Sequence, residues 1–468
     1  MKIEEKIEKS RFESHGSFVL NGQTIPYHTV CEDNFFVDDE GQPTGTIFSY
    51  AYFREDVEDP STRPVLFAYN GGPGSSSLWV HTGLFGPRRV KLEDEMHLPT
   101  VPPFELEDNP HCLLDLFDIV IVDPVGTGFG RLLQEKARSE FYDADGDVKA
   151  MAYFIEQWLT RYHRRNSPIL LAGESYGTGR SALLAAELLG AGPGKADTLG
   201  LSVSGIMLLG SYFFEDNPIE SSVVNMKSMA ATYHYHHPED KPSRDEFVKE
   251  AVAFAETEYL CALYQGDGLA DEKKKEIAEK LEKYTGISRT FWIRHHLKID
   301  MMKDFCHLLL EEEGKAVGFY DGRYAWNDDP MIQMSNVIAD DPAMGQYTPA
   351  FQTGFALLCR ELNIDFDRSS KGLVFDVNTT WQRKSESSPA QALAGAMRRN
   401  PHLQVFFASG LYDLCTTAGN ARYLATHSNL DQNRIMIGEY PSGHMAYLGE
   451  ESAALLAEDM RKFFKKVI

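Results

Sequence analysis

The chain has 468 residues, 43% apolar and 25% charged, the proportions of a globular protein rather than a disordered one. Lys plus Arg total 46 against 69 Asp plus Glu, a net charge of −23, which repels phosphate backbones and anionic lipid and argues against nucleic-acid and membrane partners. No stretch approaches the roughly 20 apolar residues of a membrane helix.

The opening MKIEEKIEKSRFESHGSFVL spreads charge throughout, with no apolar segment of the kind a secretory leader carries. The expected location is therefore cytoplasmic, or secreted if a leader has been removed. The six cysteines are scattered, with no Cys-x-x-Cys pair, so zinc-ribbon and redox motifs are excluded and reduced, mostly buried thiols are expected.

Residues 17–20, 24–29 and 46–53 are rich in β-formers, and Asn21-Gly22 predicts a hairpin between the first two. From Pro64 the pattern changes to short, nearly continuous apolar runs: 65–69, 117–122, 169–172, 206–209, 405–408 and 435–437. Such runs suit parallel strands buried on both faces. Helical periodicity fills several gaps, at 148–162 and 179–189, and an amphipathic helix closes the chain at 453–466. Alternating strand and helix predicts an α/β fold with a mostly parallel central sheet flanked by helices. The regularity breaks after Ser211. Residues 238–315 are charged and helix-like, as at 271–284, and loops run to Pro349 before a helix at 351–362. The expected organisation is a core over 1–210, an inserted, largely helical cap over 211–350, and a second core part over 351–468.

Gly173-Glu174-Ser175-Tyr176-Gly177 fits G-x-S-x-G, the sharp strand-to-helix turn that exposes a nucleophile at its tip. An apolar strand leads in and a helix leads out, so Ser175 is the candidate nucleophile. A base is needed, and His444 in Tyr440-Pro441-Ser442-Gly443-His444-Met445 follows a late strand. An acid is needed to orient it, and Asp413 follows the 405–408 run. The order Ser175, Asp413, His444 is that of α/β-hydrolases, not of chymotrypsin- or subtilisin-like enzymes. The oxyanion formed in acyl transfer needs backbone N–H donors. Tyr176 supplies one candidate and the loop Asn70-Gly71-Gly72-Pro73-Gly74 the other. No Lys follows at P-loop spacing, and Gly126-Thr127-Gly128-Phe129-Gly130 has the wrong spacing for a dinucleotide site. His234, His236 and His237 have no carboxylate or cysteine at ligand spacing, so a solvated loop is expected there and no metal.

These segments together resemble the serine carboxypeptidases (peptidase family S10) of the α/β-hydrolase superfamily. The resemblance rests on Asn70-Gly71-Gly72-Pro73-Gly74-Ser75-Ser76-Ser77, Asp123-Pro124-Val125-Gly126-Thr127-Gly128-Phe129, Gly173–Gly177 and Ser442-Gly443-His444-Met445, in order along most of the chain. It implies a Ser175–His444–Asp413 triad, oxyanion N–H groups from Gly72 and Tyr176, and recognition of a peptide's terminal carboxylate by Asn70, Gly71 and Glu174. It implies hydrolysis of C-terminal residues through an acyl-enzyme, with no metal or organic cofactor. Ester hydrolysis or acyl transfer by the same triad is the alternative, and a catalytically silent binding protein a more distant one. Two positions depart from the family pattern. Ser75 stands where many members have a disulfide-bonded Cys, which fits a reducing compartment. Gly83-Leu84-Phe85-Gly86-Pro87 lacks the second acid many members carry there, which implies a simpler carboxylate-binding network.

Overall fold

The structure, a computed structural model, describes residues 9–92, 94–96, 100–190, 192, 199–214, 218–329, 331, 340–366, 368–382, 385 and 388–467. The charged opening, residues 1–8, and parts of the 211–350 segment lie outside them.

The chain begins with three antiparallel strands, β1 (Arg11–Leu20), β2 (Gln23–Val37) and β3 (Pro43–Arg54). Asn21 and Gly22 join the first two with φ of 51° and 79°, the paired positive values a type I′ turn requires. Both strands outrun their apolar stretches. β1 reaches back to Arg11 opposite Glu32, and β2 runs on past residue 29 to Val37.

Six further strands follow: β4 (Val65–Tyr69), β5 (Asp118–Asp123), β6 (Ile169–Glu174), β7 (Val203–Leu209), β8 (Gln404–Gly410) and β9 (Ile435–Tyr440). Together with the short strand Arg131–Leu132 on β3, they form one sheet in the order β1-β2-β3-β5-β4-β6-β7-β8-β9. β3 meets β5 antiparallel, and every pair from β5 to β9 is parallel. Alternate residues of these strands enter two separate cores. Leu66, Ile121, Leu170, Met207 and Phe406 point to one face, and Phe67, Val120, Leu171, Ile206 and Val405 to the other. This explains why β4 to β8 read as unbroken apolar runs: their apolar side chains are buried on both faces, whereas β9 leaves Ile437 exposed. Burial is worth about 1.5–3 kcal/mol for a large aliphatic or aromatic side chain.

Helices cover both faces. α1 (Ala144–Arg161) and α2 (Tyr176–Leu188) pack on one core through Phe154, Ile155, Leu183 and Leu184. α1 is started by Asp143, whose carboxylate accepts from Gly146 N at 2.7 Å.

Between β7 and β8 lie α3 (Met226–His236), α4 (Arg244–Phe254), α5 (Asp271–Thr285) and α6 (Pro342–Glu361). α3, α4 and α5 share a third core containing Met229, Phe247 and Leu281, which also takes Leu411, Tyr412 and Leu414 from the loop after β8. α6 corrects the expected 351–362 helix by starting at Pro342. Asp341 caps it, accepting from Ala343 N at 3.0 Å and Met344 N at 2.9 Å, and Pro342 suits the first helical position. Pro349 sits inside this helix at the loss of one backbone hydrogen bond, offset by burial of Phe351, Phe355 and Leu358 in the sheet core.

His234 and His236 form the last turn of α3, with His237 following it, which corrects the solvated loop expected there. His236 is half-buried, and its Nε2 lies 2.7 Å from Gly322 O. The polar run hid the helical period that buries Met226, Met229 and Ala230.

α7 (Pro389–Arg399) and α8 (Ala418–His427) complete the side holding α1 and α2. α9 (Glu450–Val467) lies on the opposite face through Leu456, Met460, Phe463 and Phe464. Among the described residues no helix is long and apolar enough to cross a membrane. All six cysteines are free thiols; four are buried, Cys415 is half-buried and Cys261 exposed.

Candidate active site

Ser175 sits between β6 and α2 with φ 58° and ψ −124°, a conformation rare for a residue with a side chain. The turn is tight because its neighbours lack side chains: a Cβ on Gly173 would collide with the Gly177 carbonyl. Ser175 N donates to Leu209 O at 2.8 Å, tying the elbow to the end of β7. The next residue, Gly210, lies against the imidazole of His444, since a Cβ there would stand 3.3 Å from His444 Cε1. The end of β7 thus borders both the elbow, through Leu209, and the His444 ring, through Gly210.

The structure brings His444 and Asp413 together. Their Nδ1 and Oδ2 are 2.9 Å apart, with Asp413 fully buried and His444 nearly so. Asp413 also accepts from Cys415 N at 2.8 Å and Thr416 N at 2.9 Å through Oδ1, and from the Thr416 hydroxyl at 2.6 Å through Oδ2. Thr416 Oγ1 is itself 3.1 Å from His444 Nδ1. Burial pulls the His444 pKa down, but the charge and hydrogen bond of Asp413, with Glu174 and Asp341 behind it, leave it raised above the usual imidazole value. With Nδ1 committed to Asp413, Nε2 is the nitrogen left to take a proton.

The loop of residues 70–74 lies directly against the elbow. A Cβ on Gly71 would stand 2.5 Å from the backbone nitrogens of Tyr176 and Gly177, so only glycine permits this approach. Every polar group of Asn70 is used. Its N–H donates to Ser77 Oγ at 3.1 Å and its side-chain carbonyl accepts from Val80 N at 3.1 Å. Its backbone carbonyl accepts from Arg180 at 2.8 Å, and Nδ2 donates to Glu174 Oε1 at 2.6 Å. Arg180 is buried and held by Asp147 at 2.6 Å. Glu174 is 3% exposed, and burial pushes its carboxyl up to about 7 against the opposing effects of His444 and Asn70. The buried Tyr447 hydroxyl interacts with the Glu174 carboxyl, and burial together with that carboxyl raises the hydroxyl's own pKa.

A family model described as serine carboxypeptidase matches residues 36–435, most of the chain. The chain belongs to the serine carboxypeptidase family. Serine carboxypeptidase-like 36 of Arabidopsis thaliana is 32% identical over 141 residues, 29% of this chain and 26% of that protein. Carboxypeptidase Y of Schizosaccharomyces pombe is 30% identical over 179 residues, 35% of this chain and 16% of that protein. The chain thus spans under a third of the length of these curated relatives. Among solved structures, a prohormone-processing carboxypeptidase from Saccharomyces cerevisiae superposes with a TM-score of 0.56 at 14% identity, covering 95% of this chain and 92% of that one. The likeness supports the same α/β-hydrolase fold, with its mostly parallel sheet flanked by helices.

Within this family member, the sequence left three parts of the site unread. Thr416 follows Asp413 by three residues, and nothing but that short spacing marks it. Asp123, at the end of β5, accepts from Ser77 N at 2.8 Å, Tyr50 OH at 2.9 Å and Phe129 N at 3.2 Å, and so holds the segment behind the residue 70–74 loop. In sequence it stands out only as the first residue of the 123–129 segment; burial lifts its pKa to about 6. Tyr447 had no signal beyond its place three residues after His444.

Proposed function

We propose that the chain is a serine-type carboxypeptidase that releases C-terminal residues from peptides. The observation that carries the reading is the juxtaposition of a buried Asp413–His444 pair at 2.9 Å with a serine elbow whose preceding residue, Glu174, is locked to Asn70. The first half supports acyl transfer. The second supports recognition of a carboxylate next to the reacting carbonyl.

In this reading Ser175 Oγ attacks the last peptide carbonyl while His444 Nε2 takes its proton. Asp413 holds the imidazole tautomer and stabilises the imidazolium. The backbone N–H groups of Gly72 and Tyr176 receive the oxyanion. His444 then protonates the leaving amine, the C–N bond breaks, and water repeats the sequence to free Ser175. Asn70 Nδ2, Gly71 and Glu174 receive the terminal carboxylate. A protonated Glu174 serves that role, because two ionised carboxylates repel. Its carboxyl near 7 keeps the neutral form available around neutral pH.

The division into 1–210, a cap over 211–350 and 351–468 is part of the same proposal, supported by the separate core of α3, α4 and α5. Six free cysteines support a reducing, cytoplasmic setting.

The deciding experiment compares peptides bearing a free C-terminal carboxylate with their amides. Strong preference for the free acid is expected. Equal turnover of both, or turnover of esters alone, overturns the carboxypeptidase reading in favour of an esterase or acyltransferase.

A further inference from the structure

Residues 319–324, contributed by the insert, lie between the two loops that carry the acid and the base. To the acid loop, Phe319 O accepts from Leu414 N at 3.2 Å and Gly322 N donates to Tyr412 O at 2.9 Å. To the base loop, Tyr320 O accepts from His444 N at 2.7 Å, and the Tyr320 ring stands edge-on to the imidazole at 5.1 Å. Asp321 is pressed against Gly443 so closely that a Cβ there would collide with it.

At the centre is a buried ion pair. Arg323 donates to Asp321 through Nε at 3.0 Å and Nη2 at 2.7 Å, with side chains 6% and 0% exposed. Its remaining arm, Nη1, donates to Pro441 O at 3.1 Å, and its guanidinium lies 5.1 Å over the Tyr412 ring. One planar cation therefore touches the residue before Asp413 and a residue three before His444. Tyr347 OH donates to Asp321 Oδ2 at 3.3 Å, and Asp341 accepts from Phe319 N at 2.5 Å, so the segment is anchored from behind as well.

Stability alone gives no reason for a charge here. A buried pair gains little over a well-packed apolar one, because desolvation offsets the Coulomb attraction. What the fork of an arginine adds is fixed geometry, with several donors in one plane. That geometry acts on two loops whose relative placement decides whether Nδ1 of His444 reaches Asp413.

We infer that Arg323, oriented by Asp321, is a positioning residue that sets the register of His444 against Asp413. The inference rests on the triad reading above, but not on peptides being the substrate. A small misplacement of a catalytic base costs rate rather than binding, up to about 100-fold for about 1 Å.

The test measures the second-order rate constant of fluorophosphonate labelling of the whole protein, from pH 5 to 9, in Arg323→Met, Arg323→Lys and wild type. The final labelling stoichiometry counts competent sites separately. R323M is expected to label about 10- to 100-fold more slowly per competent site, with the midpoint of the rising limb displaced. R323K, which keeps the charge but loses the fork, is expected to fall between. If R323M does not fold, R323K carries the test, with at least a threefold loss expected. Reduced stoichiometry with unchanged rate constant and midpoint would mean that Arg323 only stabilises the insert, and overturns the inference. Wild-type protein that labels at Ser175 but leaves every peptide intact overturns the carboxypeptidase reading and not this one.

Discussion

Glu174 Oε1 and Asn70 Nδ2 meet at 2.6 Å across 104 residues of chain, joining the nucleophile elbow to the loop after β4. The contact gives one oxygen of a buried carboxyl a fixed donor. The buried Tyr447 hydroxyl also interacts with this carboxyl.

Binding should therefore depend on the Glu174 proton. Below about pH 7 the group is neutral; above it the charge repels a terminal carboxylate. The KM for a free-acid peptide should rise about tenfold per pH unit above neutrality, relative to the matching amide. Glu174→Gln should abolish that rise. Steady-state kinetics on the paired substrates from pH 5 to 9 reads it, and an identical pH dependence for acid and amide would defeat the idea.

Thr416 Oγ1 donates to Asp413 and lies 3.1 Å from His444 Nδ1. Thr416→Val keeps the shape but removes the hydroxyl that donates to Asp413. A lost hydrogen bond to a charged group is worth about 1.5–3 kcal/mol. We expect kcat to fall roughly 10-fold or more with KM nearly constant. Asp413→Asn, which reverses the hydrogen-bond polarity, should cost on the order of 10⁴. A T416V enzyme with wild-type kcat would show that the hydroxyl is incidental.

Gly71 has no room for a methyl group beside the Tyr176 and Gly177 nitrogens. Gly71→Ala should push the 70–74 loop, the proposed oxyanion loop, off the elbow and lower kcat at least about 100-fold, the usual effect of losing an oxyanion donor. Thermal denaturation measured alongside separates loss of the hole from loss of the fold. A melting point near wild type with the activity gone is the expected pair of results.

Asp123 and Glu174 both have folded-state pKa values above the usual carboxyl range, about 6 and about 7, with burial as the leading cause. The folded protein therefore holds protons that the unfolded chain releases near pH 4. Stability from these groups is present at low pH and is lost as pH rises through their folded pKa values. Each contributes on the order of 1–3 kcal/mol to that slope. Denaturant midpoints measured from pH 5 to 8 should fall with pH, and Glu174→Gln should flatten the upper part. A rising midpoint over that range would contradict the assignment.

The sheet strands were legible because their signal is local: short apolar runs, five of them, from 65–69 to 405–408, split residue by residue between two cores. The elbow was legible for a similar reason, since its glycines answer a steric demand within five residues. The order of Ser175, Asp413 and His444 followed from their places after successive strands. Partnership across the chain was decided only by the tertiary structure. The sheet order brings the ends of β6, β7, β8 and β9 side by side, and this pairs Thr416 with His444 and Arg323 with Pro441. The proton affinity of Glu174 was likewise unreadable, because desolvation depends on what surrounds a carboxyl and not on its neighbours in sequence. A sequence window can register the period of burial and the need for a glycine, whereas distances between loops and the loss of water around a charge exist only once the chain has folded.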